Sequence, residues 1–255
     1  MAKLSACIIS YNEEAKIGDC LKSLEGIVDE IIIIDSLSTD NTKEIARQYT
    51  DKIYNQEFLG HIEQKNLAVS KANHDWILSL DCDERLSTEL RESILKIKNE
   101  LDNADAYRMA RKTFYVYRWL NYCWYPDMKI RLFNRTTAKW AGTNPHDHVE
   151  VKSKNIVTLN GDLYHFSFNS IAEHINTLNS FTEIGAKELI KKGKSVTPFT
   201  PWGRSLWTFL KLYLFKRGFL DGYAGLVVAV LSGMHVFVKY NKVLFWRWQE
   251  KNTKP

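Results

Sequence analysis

The sequence predicts an α/β fold, a mixed and mainly parallel sheet flanked by helices, with a helical C-terminal extension, and three observations carry that prediction. Short apolar runs recur through the first hundred residues, helical spacing fills the stretches between them, and each run ends in a cluster of polar residues. Strands alternating with helical segments of roughly 10 to 15 residues form right-handed βαβ units whose parallel sheet is covered on both faces. A chain of 255 residues with an ordinary apolar and charged content is globular and long enough for a large core.

In chain order, Lys3 to Ser10 reads as a buried strand through Cys7, Ile8 and Ile9, and Ile17, Leu21 and Leu24 follow at helical spacing. Glu30 to Asp35 is the second strand. Ser38 or Thr39 is placed to cap a helix carrying Ile45, Ala46 and Tyr49. After a short apolar segment at Lys52 to Tyr54, the residues Ile62, Val69 and Ala72 mark another helix, and Trp76 to Leu80 leads into Asp81. Leu86, Leu90, Ile94, Ile97 and Leu101 share one helical face, whereas Ala106 to Tyr117 and Met128 to Asn134 alternate as strands do. Helical patterning resumes after Asn176, and a joint at Pro198 and Pro201 precedes a stretch rich in aromatic and basic residues.

Charge is distributed unevenly. The chain carries a formal +5, but residues 187 to 255 hold 13 Lys and Arg against Glu188, Asp221 and Glu250, so the basic C-terminal part reads as a separate functional unit. Four cysteines without paired short spacing fit neither a zinc site nor a disulfide scaffold and suit a reducing cytosol. The N-terminal residues lack the apolar run of a signal peptide, so no export is expected.

Ligands of open α/β sheets bind beyond the carboxyl ends of the strands, which directs attention to three polar strand ends. At the first, Ser10-Tyr11-Asn12-Glu13-Glu14, the tyrosine can stack on a base while its neighbours and the following helix N-terminus face ribose or phosphate. At the second, Asp35 ends a four-isoleucine strand and can accept a hydrogen bond from a base or ribose; the plain alternative is that Asp40 and Ser38 only cap the next helix. At the third, Asp81 and Asp83 stand at i and i+2 after a strongly apolar strand, a pair able to hold Mg²⁺ or Mn²⁺ against two phosphates. Lys65, on the helix before that strand, adds a cation for a phosphate.

Downstream, His146, Asp147, His148 and Glu150 fall within five residues of a segment whose Gly and Pro indicate a loop, and they offer a general base for a sugar hydroxyl. Acid–base chemistry is preferred there to zinc, since no i, i+4 histidine pair is present. His165, in an apolar segment, reads first as a core histidine and second as a phosphate or metal ligand.

With these residues in place, the chain resembles the family-2 glycosyltransferases of the GT-A fold, most of all the branch that adds sugars to the lipopolysaccharide inner core. The resemblance runs through residues 5–14, 35–42, 64–68 and 76–84, then Lys139-Trp140, His146-Asp147, His165-Phe166-Ser167-Phe168 and Lys216-Arg217-Gly218-Phe219-Leu220-Asp221-Gly222. It implies that Tyr11 and Asp35 contact the base, that Lys65 and Asp81 lie beside the nucleotide, that Asp83 ligates the metal, and that transfer inverts the sugar. The sequence departs from the family where the usual Gly of the second motif is Leu37 and the usual His-Glu of the base loop is His146-Asp147. Asp147 still supplies a carboxylate and is the expected base.

The expected organisation is therefore a GT-A catalytic domain over 1–197, with a nucleotide-sugar half at about 1–104 and an acceptor half at about 105–197, followed by the extension 198–255. The expected donor is a UDP-sugar, with UDP-glucose the resemblance's default, and the expected acceptor a lipid-linked glycan. From Phe199 to Trp248 there are 13 aromatics interleaved with Lys and Arg, a composition suited to an anionic membrane surface. Phe219 to Val238 approaches the length of a span, but Asp221, His235 and several small residues favour an interfacial helix pair. The protein is thus expected in the cytoplasm, peripheral on the inner face of the cell membrane. Two rivals are a nucleotidyltransferase, which would show a Gly-rich basic loop in place of Tyr11 to Ala15, and a nucleic-acid-binding protein, which would leave Asp81 and Asp83 unexplained; no nucleic acid is expected.

Overall fold

The computed structural model describes residues 2–143 and 146–252, with the side chain of His146 outside the description. The chain passes through β1 (Leu4–Ser10), α1 (Ile17–Lys22), β2 (Glu30–Asp35), α2 (Thr42–Ala46), β3 (Ile53–Asn55), α3 (His61–Ser70), β4 (Trp76–Asp81), β5 (Glu84–Leu86) and α4 (Thr88–Ile97). It continues through β6 (Ala106–Tyr115), β7 (Arg118–Trp119), β8 (Asp127–Asn134), β9 (Ala138–Thr143), β10 (His146–Val151), β11 (Ile156–Phe168), α5 (Ile171–Lys191), α6 (Thr200–Leu210) and α7 (Gly222–Asn252). The predicted α/β class is present: β3-β2-β1-β4 form a parallel set, β8 joins β4 antiparallel, and the order continues to β6, β11 and β5.

Contacts divide the chain into two compact units, 1–112 with 127–166, and 113–126 with 167–255. In the first, Ile8, Ile33, Leu78 and Leu80 of the central strands pack with Ile17, Leu21 and Leu90 of the helices on one face. Cys7, Ile32, Ile34 and Ile77 pack with Ala68, Phe133 and Trp140 on the other. Central strands covered on both faces must be apolar at nearly every position, which is why these runs read as continuous rather than alternating. The parallel register sets Ser10 beside Asp35 and Ile9 beside Asp81, so the three polar strand ends emerge along one edge.

Four expectations change. The helical face from Leu86 to Leu101 is a helix only over Thr88–Ile97, where Ser87 Oγ accepts from Leu90 N at 3.2 Å; Leu86 belongs to β5. Neither Ser38 nor Thr39 caps α2, because the Ser38 hydroxyl is committed to Asp35, and Asp40 takes both the amide and the hydroxyl of Thr42 instead. The helix expected after Asn176 begins five residues earlier, at Ile171, with Ser170 as its cap. The segment expected as a loop around His146 to Glu150 is a hairpin: β9 and β10 pair antiparallel, Trp140 opposite Val149, both buried, and only Asn144-Pro145 lies outside the described residues. Burial of Trp140 and Val149 decided the arms.

The second unit explains the Lys216–Gly222 motif. Asp221 is fully buried and accepts three backbone N–H bonds, from Asn121 at 2.8 Å, Tyr122 at 3.1 Å and Cys123 at 2.9 Å. Such a bundle of amides satisfies a buried carboxylate without a cation. Gly225 lets α7 start against this knot, for a Cβ there would overlap the carbonyl of Gly218 and press on Asp221 Cβ at 2.9 Å. Tyr115 and Leu120 pack with Ala224 and Val228 in the same cluster.

Two outcomes follow for stability. Gly225→Ala should destabilise the protein by about 1–3 kcal/mol in urea unfolding, although Ala favours a helix by about 1 kcal/mol. His174 is buried, bonded through Nδ1 to the Tyr115 hydroxyl at 2.9 Å, and burial lowers its pKa from 6.5 to about 4. Between pH 6.5 and about 4 the unfolded histidine takes a proton that the folded one refuses, so stability should fall across that window as pH drops. His174→Gln, which does not titrate, should show a smaller fall in urea midpoint over the same pH range.

Candidate functional site

Strand alternation first sorts the side chains of Asp81-Cys82-Asp83. Cys82 turns into the core with its thiol on the carbonyl of Ile9 at 3.1 Å, and burial holds that thiol protonated, its pKa pushed well up. Asp81 and Asp83 are thereby left to the polar side. The turn is locked by Glu84, fully buried, whose Oε2 accepts from Asp81 N at 3.1 Å and whose Oε1 accepts from Arg131 at 2.6 Å.

Arg131 and Lys65 close the site on either side of Asp81. Lys65 Nζ lies 2.9 Å from Asp81 Oδ1 and 2.7 Å from Asp147 Oδ2, while Arg131 Nη2 lies 2.9 Å from Asp81 Oδ2. Both cations are 4% exposed and both lie over the Trp140 ring, at 4.3 Å for Lys65 and 5.3 Å for Arg131. Burial opposes the charge on Asp81, but Lys65 and Arg131 outweigh it and hold the carboxyl far below the usual range. For Arg131 burial likewise works against the charge, and Glu84 and Asp81 more than restore it.

Local sequence explains how the two cations arrive. Helix α3 buries Gln64, Lys65, Ala68 and Val69, so Lys65 is delivered inward rather than to solvent. Asn66 next to it fixes the hairpin, donating to the Trp140 carbonyl at 2.9 Å and accepting from Trp140 N at 3.2 Å; the indole Nε1–H reaches Ser79 Oγ at 3.2 Å. Gln64 donates to Ser36 Oγ at 2.9 Å. The hairpin register sets Asp147 opposite Gly142 and so within reach of Lys65.

Asp83 meets His165: the antiparallel pairing of β5 and β11 places His165 beside Glu84, and Nε2 comes within 3.2 Å of Asp83 Oδ2. His165 is half-buried beside this carboxylate rather than enclosed in the core, because Phe166 N bonds the Asp83 carbonyl at 2.9 Å and draws the strand alongside the turn. Burial raises the Asp83 pKa, and His165 outweighs that, so the carboxyl stays below its ordinary range. Among the described residues no group of three or more His, Cys, Asp or Glu converges as a metal cage. The carboxylate of Asp83 is a donor of the kind that Mg²⁺ and Mn²⁺ take, and His165 stands beside it as a nitrogen donor.

The first two strand ends form a separate, interlocked pair. Ser10 Oγ donates to Asp35 Oδ1 at 2.9 Å, and Ser38 donates to the same carboxylate through N at 2.7 Å and Oγ at 2.6 Å. Asp35 is 0% exposed, so here it orders the two loops rather than facing solvent. Asn12, at φ +52°, donates from N to Ser38 Oγ at 2.9 Å and accepts from Thr39 N at 2.9 Å. Glu13 N bonds Thr42 Oγ1 at 2.7 Å. Tyr11 remains 60% exposed at the mouth. Leu37, where the resemblance expects glycine, sits at φ +65°, a left-handed conformation that costs a side-chain-bearing residue roughly 1–2 kcal/mol.

Arg131 and Glu84 were not among the sequence candidates. Their signal was present: Arg131 is a lone cation between Ile130 and Leu132 in a strand, and a charge there is paired or it is not tolerated.

A GT-A glycosyltransferase fold carrying a strand-end carboxylate pair, buried cations and a third carboxylate on the hairpin defines a class of sugar-transferring enzymes. The chain belongs to glycosyl transferase family 2, whose description matches residues 5–153. An uncharacterised glycosyltransferase of Rickettsia typhi is 34% identical over 260 residues, covering 95% of this chain and 87% of its own. The lipopolysaccharide core biosynthesis glycosyltransferase LpsC of Rhizobium meliloti is 27% identical over 251 residues, covering 94% and 91%. Among solved structures, mannosyl-3-phosphoglycerate synthase from Rubrobacter xylanophilus superposes with a TM-score of 0.50 at 13% identity over 77% of each chain, a likeness of fold.

Removing Arg131 leaves Glu84 in the interior with only the more distant Arg111 at 3.4 Å, and Asp81 with only Lys65. Arg131→Met should cost about 3–5 kcal/mol in denaturant unfolding, whereas the surface pair Arg47–Glu44 should contribute less than about 1 kcal/mol when broken by Arg47→Met.

Proposed function

We propose that this enzyme transfers a hexose from a UDP-sugar to a lipid-linked glycan with inversion, in a metal-dependent reaction, residues 1–197 carrying the chemistry. The observation that carries the reading is the Lys65 ammonium bridging Asp81 and Asp147, which sets a donor-side carboxylate and an acceptor-side carboxylate on one cation. The name of LpsC supports an acceptor in the lipopolysaccharide core, and UDP-glucose is the donor that the family resemblance favours.

In this reading Tyr11 stacks on the base, and Ser10, Asn12, Glu13 and Asp35 shape the loops around the nucleoside. Asp83 and His165, with Asp81 beside them, would hold a divalent cation, which would supply charge to neutralise the departing diphosphate. An ammonium carries three donors; two are taken by Asp81 and Asp147, and the third is available to a phosphate oxygen. Asp147 accepts the proton of the acceptor hydroxyl as that oxygen bonds to the anomeric carbon and the bond to the phosphate oxygen breaks. Glu84 and Arg131 keep Asp81 from turning away.

The extension 198–255 is assigned to an anionic membrane surface at the cytoplasmic face. Trp202, Trp207, Phe215 and Trp248 are exposed there, and α7 with the turn before it is long and apolar enough to cross a membrane by length and composition. The interfacial placement is preferred because Asp221 and the glycines around it sit at the helix start.

A thermal-shift panel of nucleotide sugars with and without Mn²⁺ tests the reading. One UDP-sugar should stabilise the protein only with metal, and Asp83→Asn should abolish that dependence; stabilisation by oligonucleotides instead would refute it. Asp147→Asn should lower kcat by about 10²–10⁴-fold with donor binding retained, and full turnover in that variant would remove Asp147 as the base.

A further inference from the structure

The second unit contains a cavity of about 260 Å³ that sugar transfer leaves without a role. Trp124, Phe168, Leu178 and Phe181 line it together with His174, His235, Thr177 and Ser232, and among the described residues no Lys, Arg, Asp or Glu does. Cavities of about 150 Å³ with apolar walls hold a benzene molecule, so this one accommodates a longer hydrocarbon. Of its polar groups, His174 Nδ1 is taken by the Tyr115 hydroxyl, and the His174 ring stacks on Phe168 with centroids 4.4 Å apart.

A positive site lies on the same helical seam. Lys239 follows His235 by four residues on α7, one turn or about 6 Å along the axis, and its stem runs against Gly185 of α5, 2.9 Å from where a Cβ would stand. Arg204 of α6 joins it, the two cations standing 5.3 Å and 5.5 Å from the Tyr240 ring. Among the described residues neither cation has a carboxylate within ion-pair distance. Burial, and then Arg204, lower the Lys239 pKa. Two like charges held together beside an apolar cavity match an amphiphile with an anionic head.

We propose that the cavity takes one acyl chain of an anionic phospholipid whose phosphate is held by Lys239 and Arg204. This rests on the membrane reading above and sharpens it from adsorption on a surface to a discrete, saturable lipid site.

Calorimetry with alkyl phosphates of six to fourteen carbons, each below its micelle concentration and with the donor site filled by UDP and Mn²⁺, tests the site directly. Binding of one molecule per chain is expected, tightening about fourfold per methylene and levelling off once the cavity is full. Alkyl alcohols and inorganic phosphate should each bind at least tenfold more weakly, and Lys239→Gln should bring alkyl phosphates down to the level of the alcohols. Leu178→Trp and Thr177→Phe, two independent ways of filling the cavity, should remove the dependence on chain length while UDP binding and the thermal midpoint are kept. Affinity that climbs with length without levelling, indifference to both filling variants, or no binding would overturn the proposal. Sedimentation with anionic vesicles is read separately: vesicle binding retained by the filling variants keeps the membrane reading whichever way the cavity result falls, and vesicle binding lost by the wild type removes that reading on its own.

Discussion

The ammonium of Lys65 holds Asp81 at 2.9 Å and Asp147 at 2.7 Å, and much of the first unit is arranged so that it can. A lysine 4% exposed is tolerated only when its charge is answered and its stem is packed. Two carboxylates answer the charge, and Trp140 supplies the face beneath it. Trp140 in turn is fixed by Asn66 of the same helix and by Ser79 of the neighbouring strand. The helix, the sheet and the hairpin are therefore tied together at one cation, and a shift in any of them would be felt at both carboxylates.

The remaining charges obey the same constraint. Arg131 divides itself between Asp81 and Glu84, and Arg111 reaches Glu84 from farther off at 3.4 Å. Inside the protein such a set is stable only as a whole, since removing one member strands its partners away from water. Asp83 stands apart, its ion-pair partner among the described residues being His165. That separation gives the two aspartates of one motif different surroundings: Asp81 is paired with two buried cations of the chain, and Asp83 with an imidazole.

Much of the architecture was legible beforehand because the signals were local. Four isoleucines before Asp35, and Trp76 to Leu80 before Asp81, are runs that only a doubly covered strand accommodates. The hairpin at Ala138–Val151 was not legible, since Gly142 and Pro145 describe a turn and say nothing of arms paired through Trp140 and Val149. Asp35 illustrates a different gap: its place at a strand end was evident, but its full burial under Ser10 and Ser38 depends on a loop 25 residues away.

By itself, then, the sequence determined the strands, the helices between them and the polar strand ends, because periodicity and burial act over a few residues. The tertiary structure alone decided which charges meet. Lys65 and Asp147 are 82 residues apart and Arg131 and Glu84 are 47 apart, and an ion pair leaves no local pattern, since its strength depends on a distance and on burial that exist only once the sheet has assembled.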